Sequence, residues 1–171
     1  MPFRTPRTTK SGEVIHFYNV DYAIGCTGWN HRVDVKLVQA LLRLYFYDLA
    51  GVNEGGDAPL GYEPLVIDGY CGPATRLHVM HYQQQAHKRG NPVLLDGRFD
   101  PFHGGMSRSS RAGVQYQLEA LNARCDIYCF QEKLDWFGKL IERPYVAEQA
   151  DLVHALCGPP RKMAQQYCYR N

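Results

Sequence analysis

The chain has no long apolar run. Nothing in its 171 residues approaches the roughly 20 consecutive apolar positions of a membrane-spanning helix. Met1 to Gly12 is polar and basic with no apolar centre, which is not the pattern of a secretory signal. The expectation is synthesis in the cytoplasm, with exit only through a dedicated machine or on lysis. A dominant charge is also lacking. The 19 Lys and Arg are balanced by 17 Asp and Glu, a net charge of +2. Both signs are spread through residues 1–28, 29–107 and 108–171. Nucleic-acid binders concentrate Lys and Arg on one element. Neither nucleic acid nor an anionic membrane is therefore the expected partner. The H-E-x-x-H of a zinc peptidase and the G-x-S-x-G of a serine hydrolase do not occur.

Cysteine is present but not in metal spacing. Cys26, Cys71, Cys125, Cys129, Cys157 and Cys168 include no C-x-x-C pair. Reduced, mostly buried thiols are expected, with a disulfide as the alternative. Cys125 and Cys129 stand four apart and share one helix face.

Bulky apolar residues are plentiful. The chain is 45% hydrophobic, with 12 tyrosines and 7 phenylalanines. That suffices for a core, so one domain, or a small domain with a helical extension, is expected. Residues 1–12 read as a flexible arm. Residues 13–24 read as a strand or an extended segment packed on the domain. Residues 31–49 read as a helix, with Val35, Val38, Leu41, Leu42, Tyr45 and Leu49 on one face. Asp34, Lys36, Gln39 and Arg43 fall largely outside that face, and Asn30 is the expected N-cap. Residues 50–66 are a Gly- and Pro-rich loop.

A second helix is expected over 73–89. Pro73 opens it, Thr75, Val79, Tyr82 and Ala86 form its stripe, and Gly90 ends it. An apolar run then enters a second Asp-Gly turn at Asp96-Gly97. Residues 109–143 read as one long helix, capped by Ser109 or Ser110. Its first stripe is Val114, Leu118, Leu121, Cys125 and Tyr128. A second stripe of Phe130, Leu134, Phe137 and Ile141 follows with a shift of register. A shorter helix is expected over 145–157, and the last eleven residues read as a tail.

Four spaced elements stand out. Asn30-His31-Arg32-Val33-Asp34-Val35 leads into Val38-Gln39-x-Leu41-Leu42. Asp68-Gly69-Tyr70-Cys71-Gly72-Pro73-Ala74-Thr75 follows. Tyr82-Gln83 comes next, and then Asp96-Gly97-Arg98-Phe99-Asp100-Pro101. In this order they resemble the peptidoglycan-binding-domain family, over residues of about 29 to 105. That family shares a Val-Gln-x-Leu-Leu helix core, an Asp-Gly-x-x-Gly-x-x-Thr turn opening a second helix, and an aromatic-Gln pair on that helix. A subgroup adds Asp-Gly-Arg-x-Asp-Pro. The chain departs from the family pattern at His78, at Tyr82 and in the long 50–66 loop.

The resemblance implies a three-helix bundle with short Asp-Gly turns; with the long C-terminal helix and the shorter one read from periodicity, the expected fold is mainly α. The expected division is an N-terminal arm or extended segment (1–28), a peptidoglycan-binding-like module (29–107) and a helical extension packed on it (108–171). The resemblance adds the site. It places the ligand groove beside the Asp-Gly turn, at Asp68, Tyr70, Gly72 and Thr75, with Gln83 further on. Tyr70 offers an aromatic face to a sugar ring. Arg76 and Arg98 suit the carboxylates of a stem peptide. Asp68 and Thr75 equally suit turn and cap roles, and Gln83 suits bracing of the fold.

Other chemistry has weaker support. His78 and His81 stand three apart but lack a third ligand, so a solvated or core-packed pair is expected. Cys26 and Cys71 are the thiols a cysteine peptidase would use, and Glu119 is the carboxylic acid a muramidase would use. The function expected is non-catalytic binding of peptidoglycan, through its glycan or its stem peptide, with no cofactor and no metal. One alternative is an adaptor of a phage-tail-like or type VI secretion assembly. It would dock a protein partner through Tyr116, Tyr128, Phe130, Trp136 and Phe137. Another is a small wall hydrolase or effector.

Overall fold

A computed structural model describes residues 1–8, 12, 14–51, 56–102, 114, 116–131 and 139–161. The N-terminal segment is not an arm. Phe3–Thr8 forms strand β1, paired antiparallel with β2 (Val14–Asn19), with Phe3 opposite Asn19 and Thr8 opposite Val14. The β-branched and aromatic run Val14 to Tyr18 favours a strand. The polar FRTPRT stretch becomes a strand because β2 supplies its partner. A two-residue ladder follows, pairing β3 (Ile24–Gly25) with β4 (Arg98–Phe99).

Helix α1 spans Arg32–Arg43, and Leu44–Asp48 continues it as a wide π-helical turn. The apolar face expected of it is fully buried. Its polar face is not solvated, however: Asp34, Lys36 and Gln39 are buried as well. Other elements cover α1 on several sides, so each buried polar group has to find a partner. Lys36 meets Asp151 at 2.7 Å, and Asp34 accepts the Tyr22 N–H at 3.2 Å. Asn30 is not the cap. His31 occupies that position without a side-chain bond, and Asn30 works in the preceding loop.

Helix α2 spans Pro73–Lys88, with Gly72 at its N-cap position and Pro73 in its first turn. Thr75, Val79, Tyr82 and Ala86 are all buried. Gly90, at φ 79°, reverses the chain while the Asn91 N–H reaches the Ala86 carbonyl at 3.1 Å.

Of the helix expected over 109–143, α3 covers Gln117–Gln131 among the described residues, Val114 and Tyr116 are not helical, and Leu140–Glu142 is a 3-10 turn. Ser109, Ser110, Leu134, Trp136 and Phe137 lie outside the described residues. The 145–157 helix is two, α4 (Pro144–Ala147) and α5 (Ala150–Cys157). Of the expected tail, Arg161 is tied down, its N–H on the Arg4 carbonyl at 2.9 Å.

The fold is thus helix-rich, with two small strand pairs among the described residues. Leu118, Leu121, Cys125 and Tyr128 of α3 share one core with α1, α2 and β2. Asn122 takes the place of a third strand beside β2. Its carbonyl accepts the Tyr18 N–H at 2.7 Å and its amide donates to the Tyr18 carbonyl at 2.9 Å. No helix among the described residues is long and apolar enough to cross a membrane.

Candidate functional site

The sequence motifs meet in two equivalent brackets. In the first, the buried Gln39 of α1 grips the turn that opens α2. Its amide donates to Asp68 Oδ1 at 2.8 Å, to Thr75 Oγ1 at 3.1 Å and to the Tyr70 carbonyl at 3.2 Å. Its oxygen accepts the Gly69 N–H at 2.9 Å. Asp68 Oδ1 also accepts the Tyr70 N–H at 2.8 Å, closing an Asx turn. Gly69 sits at φ 75°. A Cβ there would lie 2.5 Å from Arg32 Cγ and 2.7 Å from the Arg32 carbonyl, so α1 leaves room only for glycine.

The second bracket repeats the first one helix later. The buried Gln83 of α2 donates to Asp96 Oδ1 and to the Arg98 carbonyl, each at 2.9 Å. Its oxygen accepts the Gly97 N–H at 2.8 Å, and Asp96 Oδ1 accepts the Arg98 N–H at 3.0 Å. Each bracket consists of a helix glutamine, an Asp-Gly turn and a third turn residue whose side chain the glutamine does not hold. Those third residues are Tyr70 and Arg98.

The expected binding residues therefore divide. Asp68, Thr75 and Gln83 build the brackets. Tyr70 is 71% exposed, its ring lying over Gly72. Arg76 is exposed, with its Nε donating to the Cys71 carbonyl at 3.1 Å. Arg98 alone of the six lines an open cleft of about 420 Å³. Asp21, Tyr22, Ala23, Trp29, Asp100, Pro101 and Tyr116 complete its walls. Gln39, Trp29 and Tyr22 were not among the expected site residues. The signal for Gln39 was present, since an apolar-Gln pair precedes each Asp-Gly turn.

The loop beneath Trp29 is fixed. The Asn30 oxygen accepts the Gly25 N–H at 2.8 Å, and its amide donates to the Gly25 carbonyl at 3.1 Å and the Gly28 carbonyl at 2.9 Å. Thr27 at φ 58° and Asn30 at φ 51° both take the left-handed conformation. Asparagine visits it readily; a β-branched threonine rarely does. The second bracket holds the other side of this loop, with the Cys26 N–H on the Gly97 carbonyl at 3.0 Å.

The remaining candidates have structural partners. His78 is buried, with Nδ1 2.8 Å from the Ala74 carbonyl and Nε2 2.8 Å from the Tyr47 hydroxyl. Burial lowers its pKa. His81 Nε2 lies 2.8 Å from the Asp57 carbonyl instead of sharing a ligand with His78. Among the described residues no group of three or more His, Cys, Asp and Glu is placed to hold a metal. Glu119 is buried and ion-paired with Arg7, an attachment of α3 to β1. Cys26, Cys71, Cys125, Cys129 and Cys157 are free thiols. The aromatic set expected on the C-terminal helix is split: Tyr128 is buried, Tyr116 half-buried, and Phe130 83% exposed.

No family model, curated protein or solved structure matches the chain.

Proposed function

We propose that the protein is a non-catalytic binder of cell-wall peptidoglycan. The observation that carries this reading is the pair of glutamine-held Asp-Gly brackets. All four spaced elements of the resemblance take part in them, and the exposed Tyr70 and the half-buried Arg98 stand at corresponding turn positions. Fixed turns presenting a few side chains suit binding, because little conformational freedom remains to be lost on contact. A three-helix wall-binding bundle embedded in this helix-rich fold is part of the same proposal, as is delivery to the wall by a dedicated machine or by lysis. The test is co-sedimentation of the folded chain with purified sacculi. Retention in the pellet, competed by soluble wall fragments, is the expected result. A folded protein left wholly in the supernatant would overturn the reading.

One observation favours a second reading. Phe130 and Ile127, exposed on α3, offer apolar area outside the core. An adaptor docking into a phage-tail-like or secretion assembly would use such a face. A Phe130→Asp variant that binds sacculi normally but no longer joins larger complexes in light scattering would select this role.

A further inference from the structure

We infer that the cleft beside Trp29 is a sugar-binding site, which takes a neutral pyranose ring of the glycan strand and not the stem peptide. This rests on the peptidoglycan reading and moves its contact surface away from the Asp68–Thr75 turn.

Exposure is the first observation. Trp29 is 83% exposed, although burying an indole is strongly favourable. It is nevertheless held in place. Asn30 ties the loop on both sides with three side-chain hydrogen bonds. A Cβ at Gly28 would lie 2.4 Å from the Ala23 carbonyl, so the backbone is closely packed there. Thr27 keeps an unfavourable left-handed conformation in the same loop. Backbone strain next to a displayed aromatic ring is the arrangement of a preorganised contact.

The second observation is the ring pair. Tyr22 stacks beside Trp29, with centroids 5.8 Å apart and planes at 29°. Two adjacent aromatic rings, both exposed, form a platform on which the C–H face of a pyranose can lie.

The third observation is the charge in the walls. Arg98 Nε donates to Asp100 Oδ1 at 2.7 Å. Asp21 meets Arg161 Nη1 at 3.2 Å and the Met1 amine at 2.5 Å. The charges in and around the cleft are already compensated. An anionic stem peptide would have to compete with Asp100 for Arg98, and would meet two carboxylates as it did so. A neutral polyol meets no such conflict. Its hydroxyls donate to Asp21 and Asp100 and accept from the guanidinium fork, which has more N–H donors than its contact with Asp100 uses. The volume, about 420 Å³, lies in the range of small-ligand sites.

The experiment uses the full chain, with a soluble β-1,4-linked N-acetylglucosamine tetramer and a free stem peptide as probes in calorimetry, alongside sacculus co-sedimentation. The tetramer should bind. Trp29→Ala should weaken it about tenfold or more and lower retention on sacculi, with the circular dichroism spectrum unchanged. Trp29→Phe should restore most of the affinity, because it returns an aromatic face. Sacculus binding that Trp29→Ala leaves untouched would overturn the site while sparing the wall-binding reading. Binding of the stem peptide and not the tetramer would overturn the ligand. Tetramer binding that depends on Trp29 without sacculus binding would sink the wall reading and keep the cleft. A Trp29→Ala change that abolishes only self-association, with no response to the tetramer, would show a protein-docking face and overturn the proposal.

Discussion

His78 stands at a position where the resembled family has a small residue. Its imidazole fills the space between the Ala74 carbonyl and the Tyr47 hydroxyl, with Phe46 edge-on at 5.8 Å. A carbonyl can only accept, so Nδ1 carries the proton and donates to Ala74, and Nε2 accepts a hydrogen bond from the Tyr47 hydroxyl. Protonating Nε2 would remove that acceptor and place a cation in the core. The folded pKa is accordingly lowered from 6.5, by burial first and by His81 as a lesser cause. Below pH 6.5 the unfolded chain binds a proton that the folded chain resists, so stability is present above that pH and falls as the solution is acidified. Urea midpoints should drop between pH 7 and pH 5, and His78→Gln should flatten the drop. An unchanged pH slope in that variant would mean that another group is responsible. Tyr145 shows the opposite direction: burial, and then Asp48 at 2.7 Å, push its hydroxyl pKa up.

The helix and turn elements differ in how much of them was visible in the sequence. The stripe of α2, its Pro73 start and its Gly90 stop followed from local rules, because each depends on residues within a turn of one another. The Asp-Gly turns were visible for the same reason. Gln39 stood in the motif spacing, but its bracing role was not legible, because it lies beside Lys36 and Arg43 on what reads as a wet face of α1. Its partner Asp68 is 29 residues away. Strand β1 was missed because pairing with β2, and not its own composition, makes it a strand. The brackets predict a ranking. Gln39→Ala leaves the buried Gly69 N–H without its acceptor and should cost about 2–3 kcal/mol. Gly69→Ala should cost more than Gly97→Ala. At Gly69 the new Cβ meets the Arg32 backbone at 2.7 Å, whereas at Gly97 it meets only side-chain atoms of Cys26 and Met80 at 3.3 Å. Both variants add about 1–2 kcal/mol of left-handed strain. Chemical denaturation of the set would check the order; equal losses at the two glycines would contradict the close approach of α1.

At the scale of the molecule, the motif-bearing part and the later helices share a core. Helix α3 packs against α1 and β2, and α5 packs against α1 and β1. Tyr45 stacks on Tyr128 with centroids 6.2 Å apart, and Cys125 lies over the Leu41 carbonyl. Asn122 completes the β2 backbone, Asp151 holds Lys36, and Asp48 ties Arg143 and Tyr145 to the turn after α1. The candidate cleft is equally composite. Its walls come from residues 21–29, from 98–101 and from Tyr116, none of which forms a periodic pattern in sequence. Spacing within 29–105 could therefore identify the brackets but not the cleft. A fragment ending at residue 107 would expose the faces of Leu41, Tyr45 and Tyr18 that α3 covers, and would leave Lys36 buried without its carboxylate. It should lose the cooperative unfolding transition and the near-ultraviolet dichroism of the full chain, while retaining helical signal from α1 and α2. A sharp, full-amplitude transition in that fragment would show instead that the motif region folds alone and that the C-terminal helices only decorate it.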